Sequence, residues 1–110
     1  MNQEKDIVNT VARVTHAVKI AVLLRGLRNA FGLSQSELAL KAKCSRPTIN
    51  RIETLDKASP RSDIVDDLLQ VFRDEGAEIQ IGDEEVSIRF TKDALLNATA
   101  KSQEPADKAT

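Results

Sequence analysis

Tryptophan and tyrosine are missing from the 110 residues and only three phenylalanines occur, so the core has to be built from aliphatic side chains. A single cysteine, Cys44, can close no internal disulfide and form no thiolate cluster, which points to a reducing, cytoplasmic setting. A single histidine, His16, has no second imidazole or clustered thiol to share a metal with. No Gly-rich phosphate loop is present, and Ser, His and Asp never fall into a nucleophile pattern. No cofactor, no metal and no enzymatic activity are therefore expected. Residues 1–21 carry acids early and lack a continuous apolar block, unlike a signal peptide or a membrane span. What is present, 41% apolar and 30% charged residues, is ordinary for a soluble protein, and the length suits one domain.

The net charge of -1 hides an uneven distribution. Residues 25–61 hold eight basic side chains against three acids, a balance of +5, whereas residues 62–85 hold nine acids against Arg73, a balance of -8. A basic segment inside an acidic chain suggests one surface facing a polyanion and another turned away from it. Two differently charged solvated faces are the plainer explanation.

Apolar residues fall at Ile7, Val11, Val14 and Val18 and then at Ile20, Leu23, Leu24, Leu27 and Phe31. These spacings of three and four predict either one long helix with two partners or two shorter helices, and Gly32 ends the run. Ser34 with Glu37 forms a capping box for a short helix with Leu38, Ala39 and Ala42 inward. Ser45 is a second N-cap, Pro47 falls in the first turn of the next helix, and Ile49 and Ile52 lie on its inner side as it runs to about Leu55. A polar loop at residues 56–62 precedes a fourth helix, residues 63–73, with Ile64, Leu68, Leu69 and Phe72 inward; Gly76 stops it. The period then changes to two: AEIQI and EVSIRF flank GDE, which predicts a small β-hairpin in need of a neighbour.

In LSQSELALKAKCSRPTINRIE, residues 33–53, the helical pattern breaks once and resumes after about four residues. Two short helices held at a fixed angle let one brace across a phosphate backbone while the other enters the major groove of DNA. With its flanking helices, over roughly residues 20–72, this stretch resembles the helix-turn-helix of the Cro and phage-repressor class, the XRE family. LSQSELALKA and SRPTINRIE carry the resemblance. One position departs from it: the turn residue that is usually glycine in the family is Lys43, at a cost of about 1 kcal/mol if it is left-handed.

The resemblance implies a mainly α, lambda repressor-like bundle of about five helices, here followed by a C-terminal hairpin. Together with the pattern and composition outside it, this divides the chain into an expected N-terminal helical extension (1–19), a DNA-binding domain (20–76), a hairpin as the dimerisation element (77–91) and a mostly disordered tail (92–110). It assigns base reading to Arg46, Pro47, Thr48, Asn50 and Arg51. Arg46 suits guanine and Asn50 suits adenine, while Pro47 and Thr48 suit a thymine methyl. Phosphate contact falls to Gln35, Lys43, Ser45, Lys57, Ser59 and Arg61. The expected partner is double-stranded DNA with a palindromic operator, read by a homodimer. Ile79, Ile81, Val86, Ile88 and Phe90 of the hairpin are the first choice for the dimer contact, with the Ile7, Val11, Val14, Val18 stripe as the other. Repression of transcription is the expected output. An antitoxin that binds a cognate toxin and represses their shared operon is the alternative, to which the short chain and its polar end are equally suited.

Overall fold

A computed structural model describes residues 13–56 and 60–102. Among them the order is α1 (His16–Ala30), α2 (Gln35–Ala42), α3 (Arg46–Glu53), α4 (Ser62–Asp74), β1 (Ala77–Ile81), β2 (Val86–Phe90) and α5 (Lys92–Ser102).

Helix α1 begins where Thr15 accepts a hydrogen bond from the Val18 amide at 3.2 Å, a satisfied N-cap. Val14 precedes the helix, and Ile7 and Val11 of the N-terminal stripe lie outside the described residues, as does most of the 1–19 extension. The α1 stripe Ile20, Leu23, Leu24 and Leu27 is almost wholly removed from solvent. Gly32 ends α1 at φ 68°, with the Leu33 amide bonding back to the Arg28 carbonyl at 3.0 Å. The core joins this stripe to Leu38 and Ala39 of α2, Ile49 and Ile52 of α3, and Val65, Leu68, Leu69 and Phe72 of α4. On α4 the expected inward Ile64 lies at the margin, and Val65 takes the buried position instead. With no larger aromatic available, Phe31 bridges the bundle and the hairpin. Its ring centroid is 5.6 Å from that of Phe72 and 6.0 Å from that of Phe90.

The hairpin is antiparallel, with Ala77 opposite Phe90, Ile79 opposite Ile88 and Ile81 opposite Val86. All six residues therefore share one face. That face packs on the helices: Ala77 and Ile79 are buried, and Val86, Ile88 and Phe90 are half-buried against the core. The Lys19 ammonium donates to the carbonyls of Gly82 and Asp83 at 2.7 and 3.0 Å, tying the hairpin tip to the first turn of α1.

The expected disordered tail over residues 92–110 is corrected by α5. Lys92–Ser102 is helical, and Ala94 is completely buried. Thr91 is bonded to this helix start through the Ala94 amide at 3.2 Å, and its hydroxyl also donates to the Gly76 carbonyl at 2.7 Å. Asn97 donates to the Glu75 carbonyl at 2.9 Å, satisfying an orphan carbonyl at the end of α4. The helix escaped a periodicity reading because its inward positions are the small Ala94 and Ala98, while Leu95 and Leu96 are exposed. Its apolar bulk points the wrong way for an amphipathic pattern. Residues 103–110 lie outside the described residues.

Candidate nucleic-acid interface

The site is built on α2, the turn and α3. The capping box is complete: the Ser34 hydroxyl accepts from the Glu37 amide at 3.0 Å, and the Glu37 carboxylate accepts from the Ser34 amide at 2.8 Å. At the far end of α2, Lys43 takes φ 60° and ψ 44°, the left-handed conformation that glycine adopts at no steric cost. The Cys44 amide then returns to the Ala39 carbonyl at 3.0 Å. This tight reversal allows α3 to start within a few residues. Ser45 caps α3 by accepting from the Thr48 amide at 3.3 Å, and the Ser45 and Thr48 hydroxyls are 2.8 Å apart. Pro47 sits in the first turn, where its missing N–H leaves nothing unsatisfied.

Helix α3 is fastened from behind by Arg28 and Glu53, which the sequence reading did not single out, and by Gln35, which it did. Glu53, at its last residue, is buried, with 4% of its side chain accessible. Arg28 of α1 grips it through two bonds, Nε to Oε2 at 2.7 Å and Nη2 to Oε1 at 2.9 Å. The third guanidinium nitrogen of Arg28 donates to the Leu33 carbonyl at 3.0 Å. The hydrogen bond from Glu53 raises the Arg28 guanidinium above its ordinary value, against the opposing effect of burial. Gln35 of α2 joins the group, donating to Glu53 Oε1 at 3.1 Å and to Asn50 Oδ1 at 3.3 Å. Three helices thus meet at one carboxylate, and the angle of α3 is set by bidentate, charge-assisted bonds. A trace of this was legible, since an acid closing a helix stands against the helix dipole and asks for a cation from elsewhere. Which cation was not.

The outer side of α3 carries the opposite character. Arg46, Pro47, Asn50 and Arg51 are all exposed, and Thr48 is half-buried. Among the described residues neither Arg46 nor Arg51 enters an ion pair. Lys43 and Ser45 are exposed at the turn, and Gln35 is half-buried. Arg61 stands at the start of α4 and is paired with Asp63 at 2.8 Å, an exposed contact of small energetic weight. Lys57 and Ser59 lie outside the described residues. Cys44 packs against the core, and burial, assisted by the charge of Asp67, pushes its thiol up. That is the direction away from a reactive thiolate.

Two short helices joined by a left-handed turn, the second braced from behind and presenting exposed cations, define a helix-turn-helix DNA-binding module. The helix-turn-helix family model matches residues 24–73, and that segment is similar to the Cro and phage-repressor, XRE-like class. No curated protein and no solved structure matches it significantly. The protein is a DNA-binding transcription regulator. Among the described residues no helix is long and apolar enough to cross a membrane.

Proposed function

We propose that this regulator acts as a homodimeric repressor, two copies reading an inverted-repeat operator and obstructing polymerase there. The observation that carries the reading is the two-sidedness of α3: its inner end is held by the buried Arg28–Glu53 pair, while Arg46 and Arg51 are exposed and have no ion partner among the described residues. A rigidly seated helix with unspent guanidinium donors suits base reading, because the bidentate geometry of Arg matches guanine O6 and N7. Arg46 is the principal base reader in this scheme. Asn50, Arg51, Pro47 and Thr48 contribute beside it, and Gln35, Lys43, Ser45, Lys57, Ser59 and Arg61 contact phosphate. One such module covers one stretch of major groove, so a second copy on a two-fold axis supplies the remaining specificity.

The test is selection of bound DNA from a random library with wild type and Arg46→Ala in parallel. The expected result is an enriched palindrome whose preference relaxes at one symmetric position in the variant, with a loss of about 1–3 kcal/mol at that base. Enrichment that is identical in both proteins would remove Arg46 from the role. The antitoxin reading draws on Leu95 and Leu96, adjacent on α5 and more than half exposed at 56% and 57%, as a surface that a bound toxin would cover. Copurification of a second small protein from the native cell, abolished by Leu95→Lys with Leu96→Lys, distinguishes it from a stand-alone repressor.

A further inference from the structure

The hairpin is a two-stranded sheet with two edges, of which the β2 edge carries the less buried residues. The Gly82 amide bonds to the Glu85 carbonyl, and 82 and 85 continue the register that pairs Ile81 with Val86. Hydrogen-bonded and non-hydrogen-bonded pairs alternate along an antiparallel ladder. Gln80 with Ser87 and Glu78 with Arg89 are therefore the bonded pairs. The N–H and C=O groups of Val86, Ile88 and Phe90 point away from β1, and among the described residues no other backbone group meets them. Of the matching residues of β1, Ala77 and Ile79 are buried where the strand packs on α4, and only Ile81 at its end is exposed. The row on β2 is only half-buried, because the apolar face stops at this strand.

Building on the homodimer reading above, we propose that the occupant of this edge is a second copy of β2, antiparallel, with the two-fold axis at Ile88. Three observations select that partner and register. Centring on Ile88 sets Val86 opposite Phe90 of the second copy, Ile88 opposite its counterpart and Phe90 opposite Val86. Every outward-facing backbone group of the strand is then used, whereas a shift by one residue leaves some of them unpaired. The same register extends the apolar face without a break, placing β-branched beside aromatic side chains. On the outer face Arg89, already paired with Glu78, comes opposite Ser87 of the other copy. Centring on Arg89 instead would set two guanidinium groups against each other, which is repulsive. The product is a four-stranded sheet with the order β1-β2-β2-β1, in which the exposed β2 edge of each monomer is gone.

The experiment is sedimentation equilibrium on the full-length chain, with Ile88→Pro and with Ile88→Cys placed in a Cys44→Ala background. Proline at 88 removes an N–H that the β1 ladder does not use, so the hairpin keeps its internal bonds while the edge loses its central donor. The expected result is a dimeric wild type, and an Ile88→Pro protein of half the mass with unchanged helical circular dichroism. On oxidation the Ile88→Cys variant is expected to form a disulfide-linked dimer, because Cα atoms about 5.5 Å apart in such a pair are within disulfide reach. Gln80→Cys, on β1, is the control and should not cross-link. A dimeric wild type whose Ile88→Cys variant fails to cross-link overturns the edge pairing and leaves the homodimer standing on another surface. A wild type that is monomeric at concentrations that saturate its DNA overturns the homodimer itself. Should Ile88→Pro fail to fold, the cross-link decides alone.

Discussion

Lys43 keeps a backbone conformation that L-residues avoid, with φ 60°, and so does Leu55, with φ 61° just after α3. Glycine at position 43 would remove the steric strain while loosening the unfolded chain, and Lys43→Gly should stabilise the fold by about 0.5–1 kcal/mol. Urea unfolding measures this directly. If Lys43 touches phosphate, the same variant loses DNA affinity at all sequences equally, so that stability and binding move in opposite directions. Strain retained at a position where binding benefits is a known pattern of functional sites. The other residue-scale consequence concerns Cys44. Its folded pKa is raised by burial and by Asp67, so the native thiol holds its proton at a pH where the unfolded one has begun to lose it. The stability this contributes is complete below the unfolded value of about 8.5 and fades as pH rises through the folded one. Alkylation at pH ~8.5 should accordingly run more slowly in the native protein than in urea; equal rates would show the thiol to be free of its surroundings.

At the scale of elements, the Arg28–Glu53 pair is the joint between α1 and α3, with Gln35 bringing in α2. Arg28→Ala would leave a nearly inaccessible carboxylate unpaired and should destabilise by about 3–5 kcal/mol. Replacing both partners by apolar residues, Arg28→Met with Glu53→Leu, should cost much less of the stability but release the angle of α3, so that DNA specificity falls further than folding does. Thermal melts and operator binding on the two proteins separate these effects. The joint between α4, the hairpin and α5 is Gly76, at φ 102°, where an added Cβ would lie 2.7 Å from the Ala94 amide nitrogen and 2.8 Å from the Thr91 hydroxyl. Gly76→Ala should therefore destabilise by about 2–4 kcal/mol, chiefly by lifting α5, and faster hydrogen exchange in α5 than in α1 would locate the damage. Much at this scale was legible beforehand. Ser34 with Glu37, Ser45 with Pro47, and Gly32 mark their helix ends through neighbours two to four residues away, and they do so in the structure. Helix α5 was missed because its packing is made by two alanines and a hydroxyl reaching back to residue 76.

For the whole molecule, the uneven charge decides how binding responds to salt. Residues 25–61 carry +5 and residues 62–85 carry -8. With the first segment against phosphate and the second turned outward, a net acidic protein still releases counterions on binding DNA. Affinity for a selected operator, followed by fluorescence anisotropy over a salt series, should fall linearly on logarithmic axes. Lys43→Gly and Arg61→Ala should each flatten the slope by about 1, whereas Arg46→Ala should change sequence preference more than slope. A slope untouched by either phosphate variant would place the DNA on a different face.

The sequence by itself determined helices α1 to α4 and the two strands, most of the residues they turn inward, with Val65 in place of Ile64 the exception, and the exposed cationic side of α3, because periodicity, caps and turn glycines act over one or two turns of chain. Tertiary structure decided the rest. The cation that meets Glu53 is 25 positions away, and the carbonyls that receive Lys19 are 63 and 64 positions away. The seat of α5 on Gly76 and the open edge of β2 likewise exist only once separate elements have packed. These are contacts through space, selected by geometry and burial among several chemically suitable partners, and no local pattern along the chain encodes which of them will meet.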